Sequence, residues 1–307
     1  MKLSFVVAVY QNAETLFETH KQISNLMSST LGKYKAEIIF IDDGSTDGSL
    51  EELRKIKIKA NVVEVVIISF TRNFGQMAAM LAGFKEASGD AIINISADLQ
   101  DPIKLIPKMV TQWENKAEIV ICNRKSRSDP LITKIFSNFA YRIFRLIVPQ
   151  IPPGGFDFVL MDRMVLDYFN SIDNRHRFFQ GDLLWAGYRI SLIPYVRKER
   201  KFGRSQYNVA KKIKNFLDAV LDSSYFLIRT ISYVGITTSI LGLIYSASII
   251  WSWYMGETPF DGWAPIMIAL LFIGGLIMVM LGVIGEYIWR INEEVRKKPN
   301  YIIREKL

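Results

Sequence analysis

An α/β fold with a mostly parallel sheet, followed by interfacial amphipathic helices and two transmembrane helices, is what this 307-residue sequence predicts. Three observations carry the prediction. Short β-branched runs alternate with helix-like stretches up to about residue 225. Two long runs near the end of the chain carry no charge. Basic residues gather beside those runs.

The strands come first. LSFVVAV (3–9), AEIIFI (36–41), VEVVIIS (63–69), AIINIS (91–96) and AEIVIC (117–122) are separated by helix-like stretches at 13–29, 46–58, 75–88 and 102–115. Strands alternating with helices in this way are βαβ units. Their continuous apolar character fits strands covered by helices on both faces. The opening LSFVVAV is too short for a signal h-region and lacks a small-residue cleavage site, so it reads as the first strand.

The membrane part is read from hydropathy. Thr230 to Gly256 and Gly262 to Gly285 hold no charged residue, and each run exceeds the roughly 20 apolar residues that span a bilayer as a helix. The turn around Glu257 to Asp261 is too short for a domain, so the two helices form a hairpin with both flanks on one side. Residues 197–214 hold eight basic residues and one acidic one, and Arg296, Lys297, Lys298, Arg304 and Lys306 follow the second run. The excess of basic residues predicts that both termini are cytoplasmic. Trp251, Trp253, Tyr254, Trp263, Tyr287 and Trp289 lie near the run ends, where interfacial aromatics belong. The expected organisation is a cytoplasmic domain over 1–205, including an interfacial helix at 130–149. A juxtamembrane amphipathic helix at 206–229, a hairpin at 230–290 and a cytoplasmic tail at 291–307 complete it.

Composition narrows the chemistry. One cysteine (Cys122) excludes a disulfide framework, and two histidines exclude a histidine-rich metal centre. A divalent cation would need oxygen ligands, which points to Mg2+ or Mn2+. GxGxxG is absent after the first strand and GxxxxGK[ST] is absent throughout, against a nicotinamide dehydrogenase or a P-loop NTPase. The net charge of +8 clusters beside the apolar runs, which favours anionic lipid over nucleic acid. In 131–148, Ile132, Ile135, Phe136, Phe139, Ile143 and Ile147 recur at helical spacing beside Lys134, Arg142 and Arg145. A similar stripe of Val209, Ile213, Phe216, Leu217 and Val220 lies beside Lys211, Lys212 and Lys214, as in helices lying in a bilayer interface.

Ligands of parallel sheets bind beyond the carboxyl ends of the strands. There the sequence offers Tyr10-Gln11-Asn12, Asp42-Asp43-Gly44-Ser45, Arg72-Asn73-Phe74-Gly75 and Ser96-Ala97-Asp98-Leu99-Gln100-Asp101. Each alone is ordinary turn and helix-cap chemistry. Four in succession predict one acidic rim holding Asp42, Asp43, Asp98 and Asp101, suited to a metal-bound diphosphate.

VVAVYQN, IIFIDDGSTDGS, FTRNFGQMAAMLAGF, SADLQDP, GFDFVLMDR and RKERKFGRSQY occur in the order seen in inverting GT-A glycosyltransferases of family 2. Over nearly the whole chain the sequence resembles the membrane subgroup that moves a sugar from a nucleotide to polyprenyl phosphate, with a C-terminal two-helix hairpin. The resemblance implies a nucleotide sugar donor, most simply a UDP-hexose, and an undecaprenyl or dolichyl phosphate acceptor. It also implies a Mg2+ or Mn2+ cofactor and a bacterial inner-membrane location. A homo-oligomer is compatible with it.

By position, Tyr10, Asn12, Asp42, Asp43 and Arg72 would bind the nucleotide sugar. Asp98 and Gln100 would hold the metal and diphosphate. Arg124, Lys134, Ser137 and Arg200 would take the acceptor phosphate, and Asp157 would be the active-site carboxylate beside Asp98. The sequence departs from the family pattern at Ser96, which replaces the first aspartate of DxD, at Ala8 and at Gln11-Asn12. Val159 and Gln180 stand where arginine is frequent. Two other readings carry distinct expectations. An enzyme of the same fold with a non-phosphorylated lipid acceptor needs a true general base. An inactive membrane scaffold would ignore manganese.

Overall fold

A computed structural model describes residues 1–124, 151–152, 156–172, 174, 177–196, 226–255 and 264–307. The interfacial stretches at 130–149 and 209–220, and the acceptor candidates Lys134, Ser137 and Arg200, lie outside the described residues.

The alternation is present. β1 (Lys2–Val9), α1 (Ala13–Ser29), β2 (Lys35–Asp42), α2 (Ser49–Lys59), β3 (Glu64–Phe70), α3 (Gln76–Glu86) and β4 (Ala91–Ser96) follow in turn. A 3-10 turn (Ile103–Leu105) leads into α4 (Ile106–Glu114) and β5 (Ile119–Arg124). Then come β6 (Val159–Asp162), α5 (Arg163–Ser171), α6 (Phe179–Trp185) and β7 (Ile190–Tyr195). Two long helices, α7 (Phe226–Tyr254) and α8 (Ala264–Val295), precede β8 (Ile303–Lys306).

The sheet runs β7-β5-β6-β4-β1-β2-β3-β8. β1 pairs in parallel with β2 and β4, β2 with β3, and β5 with β7. β6 and β8 run antiparallel to their neighbours. Alternate residues of a strand serve opposite faces. Phe5, Val7, Ile38 and Phe40 join Leu16, Ile23 and Trp113 in one core layer. Val6, Ile39 and Ile41 join Ala79, Phe84 and Phe169 in the other. Both layers are dry, which is why these strands read as unbroken apolar runs. A side chain at Gly83 would run into Val6 and Ile41, so glycine lets α3 lie close on the sheet.

The topology sets the site. Parallel β1–β5 and β7 end at one edge, while antiparallel β6 and β8 begin there. Asp157, Tyr195 and the segment before Ile303 are thereby delivered to the edge that carries Asp42 and Ser96.

Two compact units divide the chain: Met1–Ala219 together with Pro299–Leu307, and Val220–Lys298. The second holds two segments long and apolar enough to cross a membrane, Tyr233–Ser252 and Phe272–Val295. Leu243 and Met278 are 71% and 69% exposed, unlike the side chains of a buried core helix. Helix α7 begins at Phe226 and α8 runs to Val295, each a few residues beyond the hairpin expected from hydropathy. Of the tail expected over 291–307, residues up to Val295 continue α8, while Pro299–Leu307 belongs to the first unit and β8 pairs with β3.

Candidate active site

The first cluster forms where the loops after β1, β2 and β3 meet. Gln11 N–H donates to Ser45 Oγ at 3.0 Å, Asn12 N–H to Ser49 Oγ at 3.1 Å, and Ala13 N–H to Asp47 Oδ2 at 3.2 Å. Asn12 Oδ1 accepts from Tyr10 N–H at 3.2 Å. Gly44 has φ +67°, and an added Cβ would collide with the backbone of Arg72, so only glycine lets these two loops touch. Arg72 lies exposed at the surface with its guanidinium 4.1 Å from the centre of the Phe74 ring.

The two adjacent aspartates lie beneath these loops rather than open on the rim. Asp42 is 1% exposed and accepts from Ser45 N–H at 3.1 Å and Ser69 Oγ–H at 3.1 Å. Asp43 is 2% exposed; Oδ1 accepts from Phe74 N–H at 2.6 Å and Oδ2 from Gly75 N–H at 2.9 Å. Asp43 therefore ties the β2 end to the first turn of α3. Burial pushes its carboxyl up to about 6, against the pull of the two amides.

The pH consequence has a definite sign. The carboxyl is 3.8 when unperturbed and about 6 in the fold, so stability from the neutral form is complete below 3.8 and lost as pH rises through about 6. Its size is at most about 3 kcal/mol. The loop should respond in the opposite sense, because protonation removes one acceptor facing Phe74 and Gly75. Corrected for intrinsic rates, amide exchange at 74–75 should accelerate below pH 6. Asp43→Asn should show the faster exchange at every pH. Protection that stays constant from pH 5 to 8 would contradict this role.

A second cluster runs along the ends of β4, β5, β6 and β7. Ser96 Oγ lies 2.8 Å from Asp98 Oδ1 and 2.7 Å from Asp101 Oδ2, so its single proton serves two carboxylates. Gln100 N–H also donates to Asp98 Oδ1, at 3.1 Å. Tyr195 O–H donates to Asp101 Oδ1 at 2.8 Å. Arg124, at the end of β5, couples electrostatically to Tyr195 and pairs with Asp157 Oδ2 at 2.7 Å. A polar chain thus runs Asp98–Ser96–Asp101–Tyr195–Arg124–Asp157.

Its electrostatics follow from burial. Arg124 is 7% exposed; burial disfavours its charge, but Asp157, Tyr195 and Asp101 outweigh that and move its pKa further up. Its Nε is buried with no partner among the described residues. Burial, and then Asp101, raise the Tyr195 hydroxyl well above its ordinary value. Cys122, one turn of the pleat from Arg124, is pushed up to about 12 by burial and is an inert core thiol.

The segment carrying Asp157 is pinned on three sides. Asn94 Nδ2 donates to the Asp157 carbonyl at 2.8 Å, Gln180 Nε2 to the Phe156 carbonyl at 2.6 Å, and Cys122 N–H to the Phe158 carbonyl at 3.0 Å. Gln180 thus has a structural partner, and Val159 is fully buried within β6. Gln11 (φ 53°) and Leu99 (φ 60°) hold the left-handed conformation, which side chains other than glycine seldom take. Both sit at this edge.

The structure brings Asp98, Gln100, Arg124 and Asp157 into one cluster, and Tyr10, Asn12, Asp42, Asp43 and Arg72 into the other. Sequence reading missed Tyr195 and Asn94. Tyr195 closes an apolar run just before the basic stretch at 197. Among the described residues, three or more His, Cys, Asp or Glu side chains nowhere gather as a metal cage.

Residues 4–169 match the domain described as Glycosyl transferase family 2. The chain is 34% identical to the SfII prophage-derived bactoprenol glucosyl transferase of Shigella flexneri, over 99% of this chain and 98% of that protein. It is also 34% identical to the uncharacterized glycosyltransferase YkcC of Bacillus subtilis, over 99% and 94%. The mannosyl-3-phosphoglycerate synthase of Rubrobacter xylanophilus superposes with a TM-score of 0.51 at 14% identity, covering 76% of this chain and 75% of that one. With a GT-A sheet, these matched residues and relatives similar along their whole length, the chain belongs to glycosyl transferase family 2 and is a glycosyltransferase.

Proposed function

We propose that the protein transfers a sugar, most simply from a UDP-hexose, to polyprenyl phosphate at the cytoplasmic face of a bacterial inner membrane. One observation carries the reading: a buried guanidinium with an unused Nε, Arg124, is tied through Tyr195, Asp101 and Ser96 to Asp98. A buried cation suited to an acceptor phosphate and a carboxylate suited to a donor diphosphate, on one strand edge, support this reading. The relatives named bactoprenol glucosyl transferase support the lipid acceptor. The grouping of Met1–Ala219 with Pro299–Leu307 in one compact unit supports the reading that both flanks of the hairpin are cytoplasmic.

The donor nucleotide is assigned to the first cluster. Tyr10, Asn12 and Arg72 lie at its surface, Asp42 stiffens the loop beneath, and Asp43 positions the Arg72–Gly75 turn. The oxygen donors at Ser96, Asp98 and Gln100 fit Mg2+ or Mn2+, with Asp98 and Gln100 as holders. With only two carboxylates near, the diphosphate would complete the coordination. When bound, the cation supplies charge neutralisation on the departing diphosphate.

Arg124 orients the acceptor phosphate, with Lys134, Ser137 and Arg200 as the further contacts. A phosphate oxygen attacks the anomeric carbon; the new C–O bond forms as the bond to the diphosphate breaks, and configuration inverts. The nucleophile's second pKa is near 6, so it is already largely anionic at neutral pH. Asp157 accordingly serves first to hold Arg124, with any residual proton as a secondary task. Positioning and charge stabilisation carry most of the rate.

Purified protein offered undecaprenyl phosphate and diacylglycerol in parallel tests the acceptor. Glycosylation of the phosphate alone is expected, and glycosylation of diacylglycerol alone would overturn the reading.

Ser96 makes a further expectation. Ser96→Asp should tighten Mn2+ binding about tenfold, since each added carboxylate ligand favours a hard cation. Without metal it should lower Tm, because three carboxylates then face one another. Unchanged metal affinity would place the cation away from Ser96.

A further inference from the structure

The last residues of the chain do more than cover a sheet edge. β8 pairs with β3 through Ile68–Lys306, Ser69–Glu305 and Phe70–Ile303, with a register shift between Ser69 and Phe70. Past that shift the segment grips the loop that follows. Thr71 N–H donates to the Ile302 carbonyl at 3.1 Å, and Arg304 Nη2 donates to the Thr71 carbonyl at 3.1 Å. Both backbone groups of the residue before Arg72 are thus held by the 301–307 segment.

Aromatic packing extends the grip. Tyr301 stacks on Phe70 with centroids 5.0 Å apart and 12° between planes. Phe70 meets Phe74 edge-on at 5.8 Å, and Arg72 lies over Phe74. Contacts therefore run Tyr301–Phe70–Phe74–Arg72. At the flanks, Glu305 pairs with Arg54 of α2 and Lys306 with Glu86 of α3, each at 2.6 Å.

We propose that residues 301–307 form a strap that positions the Arg72–Gly75 loop for the nucleotide sugar, with Tyr301 and Arg304 as its positioning residues. The proposal rests on assigning the nucleotide to the first cluster. Asp43 and Gly44, after β2, support this loop from one flank of β3, and the strap, paired with β3 on its other flank, supports it from there. Covering the edge of β3 needs only the ladder. The bonds to Thr71 and the stack on Phe70 lie at the ladder's loop end and fix the turn that presents Arg72.

The test uses the full-length protein in detergent, with UDP and GDP as binding probes and the matching sugar nucleotides for kinetics. Tyr301→Ala and Arg304→Met should each raise the nucleotide Kd and the donor KM about five- to tenfold with kcat within about twofold, the pattern of lost binding rather than lost chemistry. Tyr301→Phe keeps the stack and should restore wild-type values. Hydrogen exchange at 72–75 should quicken in Tyr301→Ala while α1 stays protected. Unchanged Kd, KM and exchange would overturn the strap. A fall in Tm and kcat with KM constant would reduce it to edge cover and overturn it equally. Wild-type protein that binds neither nucleotide would sink the underlying assignment as well, whereas tight binding by wild type and variants alike would sink the strap alone.

Discussion

Asp98→Asn is expected to lower sugar transfer about 10²–10³-fold, the scale of removing one preorganised group that stabilises developing charge. Asparagine keeps an oxygen where Asp98 Oδ1 accepts from Ser96 and Gln100. The turn at Leu99 should survive, and Tm should move by no more than a few degrees. What disappears is the negative charge assigned to the cation. Affinity for the nucleotide in the presence of Mn2+ should drop toward its value in EDTA. Turnover, Tm and metal-dependent nucleotide binding on one preparation check this together. Near-normal turnover in a folded Asp98→Asn protein would remove Asp98 from the site.

Arg124→Lys should cost about 10²-fold or more in transfer, although charge is conserved. Lysine is a point donor and cannot hold Asp157, Tyr195 and a phosphate at once as the guanidinium fork can. The loss should appear in acceptor KM and kcat, with UDP affinity unchanged. Stability should fall too, by about 1–3 kcal/mol; breaking a fully buried pair costs more, but Asp157 is 44% exposed and water screens it. Arg124→Met separates the effects, because it removes the buried cation and leaves Asp157 to solvent. If Arg124→Lys binds and glycosylates the lipid normally, the acceptor phosphate lies elsewhere.

The parts of the fold legible in sequence were those fixed by local patterning. β1 to β5 and the four helices among them lie within a few residues of their expected bounds, because strands dry on both faces leave unbroken apolar runs. β8 was hidden. Ile-Arg-Glu-Lys is charged because it sits at an edge, where charge is tolerated and discourages further pairing; its partner β3 lies more than 200 residues earlier. β6 is four residues long and merges with the helix after it.

Among the described residues, the candidate site was legible as strand-end side chains and not as an arrangement. The strand-end rule gathers Asp42, Asp43, Asp98 and Asp101 on one edge. It does not tell which oxygens the backbone already uses, and Asp43 turns both of its own toward α3. Nor does spacing reveal that Arg124 meets Asp157 across 33 residues, since that needs β6 to run antiparallel between β4 and β5. Tyr195 escaped for the same reason: its partner Asp101 is 94 positions away.

The decisive measurement is sugar transfer by purified protein in detergent, with undecaprenyl phosphate, a panel of UDP- and GDP-sugars, and Mn2+ or EDTA. The prediction is one glycolipid from one donor, formed with Mn2+ or Mg2+, abolished by EDTA and cleaved to free sugar by mild acid. A folded, lipid-loaded protein that makes no product from any donor, or makes it equally well in EDTA, would contradict it.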